Sequence, residues 1–230
     1  MIDKLLHKIK RKWLKMRFQP IRVYCLHHVC AEFDAESMNR GDWMDINEFK
    51  QKVSAMRQNG IAFISLSDAY SQMTNDKFRN RKYAVLTFDD GYASLKEILP
   101  WLEEHKIPVT LFINGKYLDG KSYRKSPKEK YLTNDELDQL SKQNPFLTIG
   151  SHGWEHVYAT DMTNDEFVAS AEKNVALLSS HPRYIPFWAY AYGDHTQFSD
   201  TYLRNQHIVP IYIDGMKNYN EPNVIHRELL

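Results

Sequence analysis

Tyr83-Ala84-Val85-Leu86-Thr87-Phe88-Asp89-Asp90-Gly91 carries an apolar run straight into two carboxylates and a glycine. The run has the length of a buried strand, and glycine lets the chain turn out of it in a conformation other residues resist. Two carboxylates on such a turn can divide their work, one holding a metal while its neighbour stays free as a base. In isolation Asp-Asp-Gly is more often a solvated turn. Its weight therefore depends on what lies at the ends of the other strands.

Similar apolar runs recur at Ile21 to His27, Ile61 to Leu66, Pro108 to Ile113, Phe146 to Gly150, Phe187 to Tyr192, Val209 to Ile213 and Val224 to His226. Helical patterns fill the intervals at Asp45 to Asn59, Ala93 to His105, Asn134 to Gln143, Asn164 to Ser180 and Ser199 to Asn205. Strand and helix in alternation predict a parallel sheet, and seven or eight strands predict closure into a single (β/α) barrel, an α/β fold. The C-terminal ends of barrel strands share one face. His27, Asp89, Asp90, Asn114, His152, Tyr192, Asp214, His226 and Arg227 fall at or just beyond the predicted ends, so topology brings them together.

Among these ends, Ser151-His152-Gly153-Trp154-Glu155-His156 places two histidines at i and i+4. On one helical turn that spacing lets both imidazoles reach a single ion. One Asp and two His make a three-ligand site with a position open for water, as in catalytic zinc centres. Such ligands accept zinc first, and also cobalt, nickel or manganese.

These segments resemble the motifs of the polysaccharide deacetylase family, whose homology domain is named after chitooligosaccharide deacetylases. Thr87 to Gly91 match the first motif, and His152 with His156 match the second. Tyr190-Ala191-Tyr192-Gly193 is similar to a Tyr-Pro-Tyr-Gly third motif, with Ala191 where proline is usual. Leu26-His27-His28-Val29 resembles the Tyr-His-Arg-Val strand end that opens many members, which aligns His27 with the family histidine. The resemblance spans roughly residues 20 to 230.

The resemblance implies a distorted barrel that removes N-acetyl groups from an N-acetylated sugar or glycan. It implies one divalent ion, zinc in the first place, on Asp90, His152 and His156, with Asp89 as general base and the Tyr192 backbone N–H as oxyanion donor. The general acid is usually a late-strand histidine, for which His226 lies in the right region. Members with the Tyr-Pro-Tyr-Gly motif often end in Ile-Pro-Arg, which puts His226 in the place of that proline and leaves His27 as the other candidate. The arginine that often pairs with the catalytic Asp is missing from Phe187 to Gly193, and Arg227 can fill the gap from another strand. That gap and Ala191 keep a carbohydrate-binding pseudoenzyme as the alternative, together with hydrolysis of another amide or ester on the same site. The intact Asp89, Asp90, His152 and His156 argue for an enzyme.

Around the motifs, Trp154, Tyr158, Trp188 and Tyr190 are candidates for stacking on sugar rings, although aromatics near strand ends are as often core. Asn114 and Ser151 read as residues that orient the ligands. The basic loop Lys121 to Lys130 follows a strand end, where it is solvated or grips an anionic part of a substrate.

The whole chain has 230 residues, 43% of them hydrophobic, enough for one sizeable core. Its net charge of +1 hides an asymmetry, because residues 1–18 carry Lys4, Lys8, Lys10, Arg11, Lys12, Lys15 and Arg17 against Asp3 alone. Ile2, Leu5, Leu6, Ile9, Trp13 and Met16 recur there at helical spacing. A basic amphipathic extension over residues 1–19, ahead of a barrel over 20–230, predicts peripheral membrane contact or a stripe packed on the domain. The remaining surface is acidic overall, which excludes nucleic acid as a partner. No apolar stretch is long enough to span a bilayer, and Lys and Arg interrupt any signal-peptide core. Cys25 and Cys30 lie too far apart along an extended strand to bridge. They read as reduced thiols, and with the missing leader they predict a cytoplasmic location, at the membrane surface if the extension binds lipid.

Overall fold

A computed structural model describes residues 20–33, 40–74, 81–119, 130–218 and 223–230. The expected amphipathic helix and nearly all of the basic loop lie outside the described residues. In chain order the strands are β1 (Ile21–Leu26), β2 (His28–Cys30), β3 (Trp43–Asp45), β4 (Ala62–Phe63), β5 (Tyr83–Phe88), β6 (Val109–Ile113), β7 (Leu147–Ser151), β8 (Tyr184–Ala189), β9 (Val209–Ile213) and β10 (Ile225–Leu229). Seven of them, β1 and β5 to β10, pair in parallel and close into a barrel where β1 runs beside β5 from Ile21↔Tyr83 to Leu26↔Phe88. Strand β4 adds a short flap against the start of β5. The register between β7 and β8 slips between Ile149 and Ser151, which distorts the barrel just before His152.

Among the described residues six α-helices cover the outside: α1 (Ile46–Gln58), α2 (Leu66–Thr74), α3 (Leu99–Glu104), α4 (Asn134–Gln143), α5 (Asn164–Leu178) and α6 (Gln197–Asn205). Their starts are written in the sequence. Thr133 with Glu136, Thr163 with Glu166, and Thr196 with Ser199 form capping boxes, and the Asp45 carboxylate accepts the N–H groups of Asn47 and Glu48.

Three expected elements change form. The run from Ile61 to Leu66 is a strand only over Ala62–Phe63, because Ser65 Oγ accepts the Asp68 N–H at 3.0 Å and starts α2. The helix expected from Ala93 to His105 is a 3₁₀ segment, Ala93–Glu97, followed by α3, since Pro100 cannot donate to the preceding turn. The last strand, expected over Val224 to His226, continues to Leu229.

Along each strand, alternate residues face the barrel interior. At its lower end Ile21, Val23, Val85, Phe112, Phe187, Ala189, Ile211 and Ile225 form a dry plug. One step further up the same alternation places Cys25, Thr87 and Arg227. A second core of leucine, isoleucine and phenylalanine, including Phe49, Phe88, Leu95 and Leu111, lies between barrel and helices. The plug ends where the polar groups begin, and the strand ends above it form the site.

Candidate active site

The Asp89–Asp90–Gly91 turn is built by backbone strain and one clamp. Asp90 has φ 69° and Gly91 φ 81°, both left-handed, and the Asp89 N–H donates to Leu26 O at 2.9 Å. A left-handed aspartate costs energy that a functional turn sustains. The two carboxylates are thereby sent to different partners, both nearly out of contact with solvent.

Asp89 meets Arg227 in a bidentate pair, Nη1 to Oδ1 at 2.7 Å and Nη2 to Oδ2 at 2.8 Å. Arg227 Nη1 also donates to Thr87 Oγ1 at 3.1 Å, and Cys25 Sγ lies 3.3 Å from Asp89 Oδ2. Burial pushes the Asp89 carboxyl up, but the Arg227 charge, with His152 and His27 adding to it, outweighs burial and holds it well below the usual carboxylate range. Burial in turn pulls Arg227 down and Asp89 more than restores it, so the guanidinium stays cationic.

Asp90 faces the two histidines. Its Oδ1 lies 3.2 Å from His156 Nε2 and 3.5 Å from His152 Nε2. Four ligands at about 2.0–2.1 Å from a tetrahedral ion lie about 3.3 Å apart, so this spacing fits a zinc-sized cation. His152 Nδ1 donates to Ala189 O at 2.7 Å, which fixes the tautomer and leaves Nε2 as a buried lone pair with no hydrogen-bond partner among the described residues. The donor set therefore fits a divalent metal.

The histidines reach Asp90 without the expected helical turn. Residues 152–156 form an irregular loop in which Gly153 has φ 91°. Side chains replace the helical bonds: Asn114 Nδ2 donates to the carbonyls of His152 (2.7 Å) and Gly153 (3.1 Å), and Ser170 Oγ accepts the Trp154 N–H. Asn114 thus orients the ligand loop.

These groups open into one cleft of about 250 Å³ lined by His27, Asp42, Asp89, Asp90, His152, His156, Tyr190, Tyr192, Gly193, Ile213, Arg227 and Leu229. Of the expected site residues, the cleft gathers His27, Asp89, Asp90, His152, His156, Tyr192 and Arg227. It leaves out His226. Within β10, Arg227 and Leu229 face the cleft, so His226 faces the other way. There His226 Nδ1 pairs with Asp214 Oδ2 at 2.7 Å, and Asn218 bonds its backbone.

Instead of continuing β8, Tyr190–Gly193 makes a turn in which Tyr192 has φ 58° and Gly193 φ 72°. A Cβ on Gly193 would lie 2.4 Å from Ile213 Cγ2, so only glycine fits there. The turned-out Tyr192 ring sets its edge against His156, 4.3 Å between centroids, and stacks on Tyr158 at 4.1 Å and 13°. Both tyrosines are about half exposed, whereas Trp188 and Tyr190 are buried, Tyr190 within the lining of the cleft.

Sequence reasoning missed Asp42, whose Oδ1 lies 4.0 Å from His27 Nδ1. A two-stranded ribbon, β2 with β3, brings it there, and the Asp42 carbonyl accepts the His28 N–H at 2.9 Å. Strands of three residues carry too little periodicity to be seen.

A sequence profile described as polysaccharide deacetylase matches residues 76–209, more than half of the chain. "Putative polysaccharide deacetylase YxkH" of Bacillus subtilis (strain 168) is 25% identical over 117 residues, which span half of this chain and 38% of that protein. IcaB from Ammonifex degensii superposes with a TM-score of 0.75 at 20% identity, over 92% of this chain and 94% of its own. Streptococcus pyogenes deacetylase PplD, solved with acetate, gives 0.75 at 17% identity over 93% of each chain. At these identities the superpositions speak for the fold, and the profile covers the strand ends on which the two carboxylates and two histidines sit. The chain belongs to the polysaccharide deacetylase family.

Proposed function

We propose that this protein is a metal-dependent hydrolase that removes N-acetyl groups from an N-acetylated glycan. The observation that carries this reading is the division of the two adjacent carboxylates, Asp90 toward His152 and His156, and Asp89 toward Arg227. A divalent ion on Asp90, His152 and His156 would supply a Lewis acid and a bound water of pKa about 7. Asp89, kept ionised by Arg227, takes the proton of the attacking water. The Tyr192 backbone N–H donates to the oxyanion that forms as the amide carbonyl is attacked. His27, supported by Asp42, gives the proton to the departing amine. Acetate and a free amino sugar result.

The purified chain is expected to take up about one divalent ion and to release acetate, with one free amine per acetate, from N-acetylated amino-sugar oligomers. His152→Ala, which removes one of the three proposed ligands, should weaken zinc binding by at least the roughly 10–100-fold that loss of an outer-shell partner costs. A chain that takes up neither zinc, cobalt, nickel nor manganese sinks the reading. Metal and oligomer binding without acetate release would instead make it a binding barrel.

The Tyr158–Tyr192 stack supplies a platform beside the cleft for the sugar next to the one losing its acetyl group. An aromatic contact of about 1 kcal/mol corresponds to a KM about fivefold higher for an oligomer in Tyr158→Ala. The kcat should hold, and a monosaccharide should show no KM change. An equal rise for both substrates would remove the platform.

A further inference from the structure

Behind the cleft a second polar cluster has no part in the chemistry above. Asp200, in the first turn of α6, is nearly buried and accepts from two phenols. Tyr190 Oη donates to its Oδ1 at 2.9 Å, and Tyr212 Oη donates to its Oδ2. Arg204 Nη2 donates to Tyr212 Oη at 3.2 Å, and His195 stacks on the Tyr212 ring at 4.2 Å with its Nδ1 3.5 Å from Asp200 Oδ2. Burial first, and then Asp200, push both phenols well above their usual range, so both remain donors. A nearly buried carboxylate with two phenol donors is a rigid joint.

The joint ties α6 and β9 to Tyr190, the first residue of the turn that carries Tyr192. The far end of that turn is tied as well, since Asp194 Oδ2 accepts from the Thr160 N–H at 2.7 Å and from its hydroxyl at 2.9 Å. Between the ties stands Tyr192 at φ 58°, a conformation that a bulky side chain leaves unless its surroundings impose it. Tyr190 has ψ 135°, the value a residue before proline requires, and Ala191 follows at the first position of a 3₁₀ turn, where proline fits.

We infer that Asp200 is a positioning residue which, through Tyr190 and Tyr212, holds the Tyr190–Gly193 turn and hence the Tyr192 N–H in line with the substrate carbonyl. In this chain the two phenol bonds do what a rigid residue at position 191 would do. The inference rests on the role proposed above for Tyr192, while the tether itself is readable without turnover.

The test combines Tyr190→Phe, Asp200→Asn and Ala191→Pro, alone and in pairs. Backbone amide exchange over residues 192–194 should speed up about tenfold in Y190F and D200N, the size of one lost hydrogen bond, and return toward wild type when A191P is added. Turnover should fall about tenfold in Y190F and D200N with KM and zinc affinity within about twofold, and adding A191P should recover most of it. A loss of zinc affinity and thermal stability without rescue by A191P would mean general support and overturn the inference. Unchanged exchange would remove the tether. Faster exchange with full turnover would remove the positioning role. If the wild type itself releases no acetate, the functional reading fails, and the exchange data still decide the tether.

Discussion

Arg227→Ala is expected to lower kcat at least about 100-fold while zinc affinity stays within about threefold. The guanidinium is fully enclosed, and it donates to Asp89 and Thr87, not to the metal-facing groups. Removing it leaves the Asp89 carboxylate buried beside Asp90 without its main counter-charge, and desolvation then raises the carboxyl and favours its protonated form. A protonated Asp89 accepts no proton from water, and a positioned base contributes about 10²–10⁴ in rate. Breaking a buried pair also costs about 3–5 kcal/mol of stability. The fold and the chemistry are separated by Asp89→Asn with Arg227→Met: the double variant should recover most of the lost stability and none of the activity. Arg227→Lys keeps the charge, loses the two-point grip and should fall between. Wild-type turnover in R227A would remove Arg227 from the site's chemistry.

The pair also sets a pH window. Asp89 has a folded-state pKa lowered below its unfolded value. Its contribution to stability is therefore complete above the unfolded value of about 3.9 and is lost as pH falls through the still lower folded value. Between about pH 5 and 8 Asp89 stays ionised, so pH dependence in that interval reports other groups.

How far the residues alone reveal this arrangement follows from range. Asp89, Asp90 and Gly91 are contiguous, and the turn they encode is the turn observed. His152 and His156 are read as a pair through a helical turn that does not form; the pairing survives because Asn114, distant in sequence, holds the loop. Strand β10 is cut short at His226 because Arg227 and Glu228 look like a polar end. In the barrel Arg227 turns inward to Asp89 while Glu228 turns outward to Arg22 at 3.2 Å, and both charges extend the strand. Asp42 and the Asp200 joint escape altogether, since each acts on residues its own segment does not contain. Short-range chemistry is legible one residue at a time, and the supports that aim it are not.

The same alternation in β10 favours His27 over His226 as the proposed acid, with a large expected difference. His27→Ala should cut turnover of an N-acetyl amine about 10²–10⁴-fold, because an amine leaves only with a proton. His27 lines the cleft and has Asp42 Oδ1 4.0 Å from its Nδ1. His226 faces away with its Nδ1 on Asp214, so His226→Ala should keep kcat within about threefold and cost about 1 kcal/mol of stability from the lost bond. An activated aryl acetate, whose phenolate departs unprotonated, separates acid catalysis from damage to the site: H27A should lose far less on the ester than on the amide. The alkaline limb of the kcat profile should also flatten in H27A and persist in H226A, because activity lost at high pH is the acid giving up its proton. If H226A loses the amide reaction and H27A keeps it, the proton comes from the other side of the strand and β10 must rearrange when substrate binds.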